Sequence, residues 1–149
     1  MLKLIRNGVL AGAFLALISF TGATSADDWP MSGGDYWEVT GIDVKDGGAW
    51  AYANWLATEW RKNSEFAKSK GWIKDYMILS NVHGRAGEAD LYIIRVVANV
   101  PTGAEGEKRA DEYQAWSKKS SEKMVAESGN RVEYREVLST SLLQVMSFK

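Results

Sequence analysis

The sequence predicts an α+β domain in which a four-stranded antiparallel sheet carries two helices on one face. Three observations lead there. The apolar period switches between two and 3.6 residues in the order strand, helix, strand, strand, helix, strand; glycine-rich breaks separate the segments; and the link between the two middle strands is too short for a crossover helix.

The N-terminus reads as a targeting segment rather than part of the fold. Lys3 and Arg6 precede an apolar run from Val9 to Phe20, and Thr24-Ser25-Ala26 supplies small residues for a signal peptidase. The run is short for a bilayer crossing and is followed by Asp27-Asp28 rather than a basic stop. A signal peptide over 1–26, a periplasmic or secreted domain over 27–149 and no stable membrane insertion after signal removal are therefore expected. Cleavage removes two basic residues and no acidic one, leaving 16 Lys and Arg against 19 Asp and Glu, a net charge of −3. That balance, with no concentrated basic face, argues against a nucleic-acid partner. Cysteine is absent, so an exported chain must be stabilised by its core or by a partner subunit. Seven Trp and six Tyr exceed what a core of this size needs, which directs some of them to an interface or a pocket.

Asp28 to Gly34 reads as an irregular lead-in. Tyr36 to Val44 alternates as a strand with apolar residues on both faces and ends at Asp46-Gly47-Gly48. From Ala49 the stripe Ala49, Ala53, Leu56, Trp60, Ala67 marks a helix, capped by Gly71 after Lys68 and Lys70. Trp50, Trp55 and Trp60 recur at i, i+5 and i+10, a spacing that an α-helix does not place on one face. Strands follow at Trp72 to Asn81 and Asp90 to Asn99, antiparallel neighbours joined by the projecting loop Val82 to Glu88. Pro101 to Gly106 breaks the pattern, Glu107 to Glu127 is helical, Ser128-Gly129-Asn130 stops it, and Arg131 to Phe148 is extended with an interruption at Ser139-Thr140-Ser141.

That order is the ferredoxin-like βαββαβ unit, which leaves one sheet face apolar and open; a homodimer through that face would bury it. On the element order, the aromatic first helix, the two-faced strands and the Val82 to Glu88 loop, Tyr36 to Phe148 resembles the dimeric alpha-beta barrel superfamily. The resemblance implies two ferredoxin-like sheets packed face to face and a small-molecule pocket. It brings with it cofactor-free monooxygenases, aromatic-breakdown enzymes and haem-handling proteins.

Candidate ligand-binding residues are Arg95, Asp75, Glu38, Tyr76, Trp37, His83 and Gln144, with Tyr92 and Trp116 as further pocket aromatics. Arg95 interrupts an apolar strand, and a buried guanidinium needs a carboxylate, carbonyls or an anionic ligand; Asp75 and Glu38 are the candidate partners. His83 is the single histidine, in a glycine-flanked loop where it is an iron ligand, a base or an ordinary loop residue. No metal site is expected from one His and no Cys, and no cofactor is expected in the absence of a nucleotide-binding glycine fingerprint or phosphate loop. The residues, taken with what the resemblance implies, leave three functions open. One is an exported domain binding a small apolar or aromatic molecule; another is a cofactor-free monooxygenase or isomerase acting on a small aromatic compound; the third is a purely structural or interaction dimer.

Overall fold

The structure, a computed structural model, describes residues 28–149. The signal peptide expected over 1–26 lies outside the described residues.

Four strands, β1 (Met31–Val44), β2 (Asp75–Ser80), β3 (Leu91–Val97) and β4 (Arg135–Phe148), form one antiparallel sheet in the order β2-β3-β1-β4. The helical segments are α1 (Ala49–Trp55), a π-helical stretch (Leu56–Trp60), α2 (Arg61–Ser69), α3 (Gly103–Ser117) and α4 (Ser121–Asn130), the last followed by a 3₁₀ turn at Arg131–Glu133. Among the described residues no helix is long and apolar enough to cross a membrane.

The expected ferredoxin-like unit within a dimeric alpha-beta barrel is corrected by the sheet. It is open and uncurled, with β2 and β4 as edges, whereas a barrel removes its edges by pairing every strand on both sides. What stands is an α+β fold of four antiparallel strands and helices. Element order constrains which strands are neighbours, but closure depends on tilt and register, which order leaves unspecified.

Cross-strand partners share a face, so the register sorts the side chains. Glu38, Thr40 and Ile42 of β1, Ile93 and Arg95 of β3 and Tyr76 of β2 lie on the helical face; Trp37, Val39, Ile94, Val96, Met77 and Asp75 lie on the other. The core is built on the helical face from Ile42, Tyr52, Leu56 and Trp60, with Val44, Trp55, Leu91, Ile93 and Tyr134 packed around them. Burying each of the aliphatic members contributes about 1.5–3 kcal/mol. Asp90 pins the end of this sheet: its N–H donates to the Ile42 carbonyl at 2.9 Å and its carboxylate accepts from the Val44 N–H at 2.8 Å.

On the second face Ile94 and Val96, at the centre, are buried, flanked by half-buried Val39, Met77 and Trp37. Towards its edges this face is exposed at Leu79 of β2 and Leu143 of β4, and along β4 Val137, Leu138, Leu142, Leu143, Val145, Met146 and Phe148 are all exposed.

Several boundaries differ from the sequence reading. The lead-in before Tyr36 belongs to β1, because Met31, Ser32 and Gly33 pair with Phe148, Ser147 and Met146 of β4 and a register shift before Tyr36 absorbs Gly34 and Asp35. The strand β4 runs through Ser139-Thr140-Ser141, held opposite Gly41, Thr40 and Val39; the irregularity falls beside it, between Gly41 and Ile42. The single helix expected over Glu107 to Glu127 is two. Thr102 caps α3 by accepting from the Glu105 N–H, a Thr-x-x-Glu start that was readable in the sequence. Lys118, at φ 56°, ends that helix, and Ser120 caps α4 by accepting from the Lys123 N–H.

Candidate functional site: an arginine-lined cavity on the helical face

The π-helical stretch explains the odd tryptophan spacing. In a π turn a residue and the fifth after it lie one turn apart, so Trp55 and Trp60 reach the same cavity, while Trp50 is 79 % exposed. That cavity, about 350 Å³, lies between the sheet and the helical layer. Its wall combines Trp55 and Trp60 with Glu38, Thr40 and Ile93 of the sheet and with three arginines, Arg95, Arg131 and Arg135.

The three arginines arrive from separate elements. Arg95 sits in β3 opposite Glu38 of β1 and Tyr76 of β2, Arg131 opens the 3₁₀ turn after α4, and Arg135 begins β4 opposite Val44. Each has its Nε buried with no hydrogen-bond partner. The Arg131 guanidinium lies 4.3 Å over the Trp55 ring and donates through one terminal nitrogen to the Glu127 carbonyl at 2.9 Å. Arg135 approaches the face of Tyr52 at 6.0 Å. Burial, then the neighbouring Arg135, pushes Arg131 below the usual guanidinium range, the signature of a cation held in a dry place beside another. Among the described residues Glu38 is the one carboxylate in the wall, and it forms no ion pair with Arg95 within 4.0 Å. A guanidinium keeps its charge, and among the described residues these three Nε–H groups are left without acceptors.

A second cavity, about 440 Å³, adjoins the first, with Glu38 and Arg95 in both walls. Its remaining lining is largely apolar, including Trp72, Ile73, Val97, Pro101, Ala110 and Tyr113. Arg109 also reaches it but is paired with Glu105 at 2.8 Å. Burial raises the Tyr113 hydroxyl's pKa.

The sequence-predicted residues fall in different places. Arg95 and Glu38 share the two cavities. Asp75 does not join them: it faces the other side of the sheet and pairs with Lys68 at 2.9 Å, whose hydrogen bond holds its carboxyl below the usual range. The expected partnership of Asp75 with Arg95 or Glu38 is corrected, since neighbouring strands at adjacent register positions point to opposite faces. The Tyr76 hydroxyl donates to Glu65, and its ring meets Trp60 edge-on at 5.2 Å. Trp37 lies half-buried on the second face with Tyr92. Gln144 is exposed on β4 and donates to the Gly34 carbonyl at 3.3 Å. Trp116 stacks on Phe66 at 4.2 Å. His83 is exposed in a loop closed on itself through Asn81 and Glu88, away from both cavities. Among the described residues no group of three or more His, Cys, Asp or Glu side chains is placed to hold a metal ion.

Tyr52 borders this region and supplies a pH test. Its hydroxyl is buried without a partner, and burial pushes its pKa up to about 12 against the pull of Arg135 and Arg131. The folded state therefore holds the phenolic proton more tightly than the unfolded chain. The corresponding stability is fully present below pH ~10 and is lost as pH rises toward ~12, by about 3 kcal/mol. Tyr52→Phe removes both the titration and the orphaned hydroxyl, so urea unfolding should show equal or higher stability at neutral pH and a shallower loss between pH ~10 and ~12. A destabilised variant with an unchanged alkaline slope would contradict this.

No family model, curated protein or solved structure matches this chain.

Proposed function

We propose that the protein, exported by its N-terminal segment, binds a small organic anion in the cavity formed by Arg95, Arg131, Arg135, Trp55 and Trp60. The observation that carries the reading is the convergence of three buried, unpartnered Nε–H donors on one concave site. Burying three Nε–H groups without acceptors costs stability, and an oxyanion recovers that cost through charge-assisted hydrogen bonds. Trp55 holds Arg131 flat, and both tryptophans offer an apolar wall to the ligand. Glu38 and Asp75 lie on opposite sheet faces and do not form an acid-base pair with each other, so the reading rests on binding.

Intrinsic fluorescence tests it, since two tryptophans line the cavity. Titration with benzoate and with inorganic phosphate to about 10 mM should perturb emission saturably, with Arg135→Met weakening binding at least tenfold and benzamide inert, as expected when charge carries the affinity. No response to either anion, or an equal response to benzamide, overturns the reading.

A second reading, self-association of two copies, is favoured by β4. From Val137 to Phe148 this exposed edge has no charged side chain, so it lacks the charges that ordinarily keep edges apart and presents an uncharged strip to a second copy's equivalent strand. Sedimentation should give a dimer that Leu143→Lys dissociates; a wild-type monomer at high micromolar concentration overturns it.

A further inference from the structure

We infer that the ligand is an amphiphilic carboxylate whose head sits among the arginines and whose apolar body fills the adjoining cavity; this rests on the anion-binding reading above. The two cavities share a wall made by Glu38 and Arg95, so a molecule held by Arg95 at its charged end has the second space immediately behind it. Chemically the two spaces are unlike. The head cavity carries three arginines against one glutamate, whereas Trp72, Ile73, Val97, Pro101 and Ala110 make the second largely apolar, and its additional cation, Arg109, is already neutralised by Glu105. Each volume is of the size that small-molecule sites occupy, about 300–1,000 Å³, and a compact inorganic anion would leave the larger one unused. Glu38 and Arg95, side by side across β1 and β3, mark the junction, and a carboxylate rather than a dianion suits a wall in which one carboxylate already stands.

The prediction is a dependence of affinity on the body at constant head charge. Acetate, butyrate, hexanoate and octanoate, titrated by tryptophan fluorescence and calorimetry, should bind progressively tighter by about fourfold per buried methylene, the equivalent of about 0.8 kcal/mol. Ala110→Trp, on the wall of the apolar cavity and outside the wall that holds Arg95, Arg131 and Arg135 together, should erase that chain-length dependence while acetate binding persists. Circular dichroism confirms folding of the variant, and Val97→Phe, filling the same cavity from the sheet side, repeats the test should the first variant misfold. Equal affinity for acetate and octanoate, or a length dependence untouched by a folded filling variant, overturns the bipartite site while leaving anion binding standing. Absence of binding by every carboxylate and by phosphate overturns the anion reading itself.

Discussion

Arg95→Leu is expected to raise the unfolding free energy by about 1–2 kcal/mol and to abolish binding of benzoate. The guanidinium lies in the middle of β3, with apolar neighbours before and after it, and its Nε is buried without an acceptor. Replacing it with the shorter, apolar leucine removes the desolvation cost and leaves an apolar side chain in the wall that Ile93 and Trp60 also line. The gain is held to the lower part of the range because the residue is half-buried, so its terminal nitrogens retain some water. The opposite sign has a definite meaning. Were Arg95 a structural partner of Glu38, removing it would lower stability instead, by no more than about 1 kcal/mol because Glu38 is exposed to solvent. Urea denaturation of wild type and variant, paired with the fluorescence titration, separates the two. Greater stability with lost binding marks a residue kept for function at the expense of the fold.

Arg95 was readable from the sequence because a strand with apolar residues on both faces makes one charge conspicuous. Arg131 and Arg135 were not. They stand in the mixed run Arg131-Val132-Glu133-Tyr134-Arg135-Glu136, which has the composition of a solvated connection, and only the pairing of β4 with β1 brings them beneath the helices. One signal was available: Arg135 lies two residues before Val137, so strand alternation alone sets both on the face that packs beside Ile42. The first helix was readable from its apolar stripe, but its π turn was not, since a 3.6-residue template treats Trp55 and Trp60 as lying on different faces. The fold's neighbour relations followed from element order and short links. The barrel did not, because curvature and closure are set by tilt, register and edge pairing, none of which has a local sequence mark. The apolar content that suggested a bare sheet face is divided: Ile94 and Val96 at its centre are buried, while Leu79 of β2 and Leu143 of β4 stay exposed on that face.

Trp60→Ala should cost about 3–5 kcal/mol and lower the melting temperature by roughly 10–20 °C. Trp60 is 4 % exposed, belongs to the core with Ile42, Tyr52 and Leu56 and meets Tyr76 edge-on, so its removal forfeits both burial and an aromatic pair and opens a void that helix and sheet cannot both close. Against a total of about 5–15 kcal/mol for a domain, that is a large fraction of the stability. Trp50→Ala is the internal control: one helical register away yet largely exposed, it should change stability by no more than about 0.5 kcal/mol. Trp60→Phe then divides the residue's two roles. Phenylalanine retains most of the core packing and should recover more than half of the loss, but it presents a smaller wall to the arginine cavity, so benzoate affinity should recover less completely than the melting temperature. Equal losses for Trp50→Ala and Trp60→Ala would remove the π turn from the core and with it the reason that Trp55 and Trp60 face one site. A full recovery of both properties in Trp60→Phe would instead confine Trp60 to packing and leave anion recognition to the arginines and Trp55.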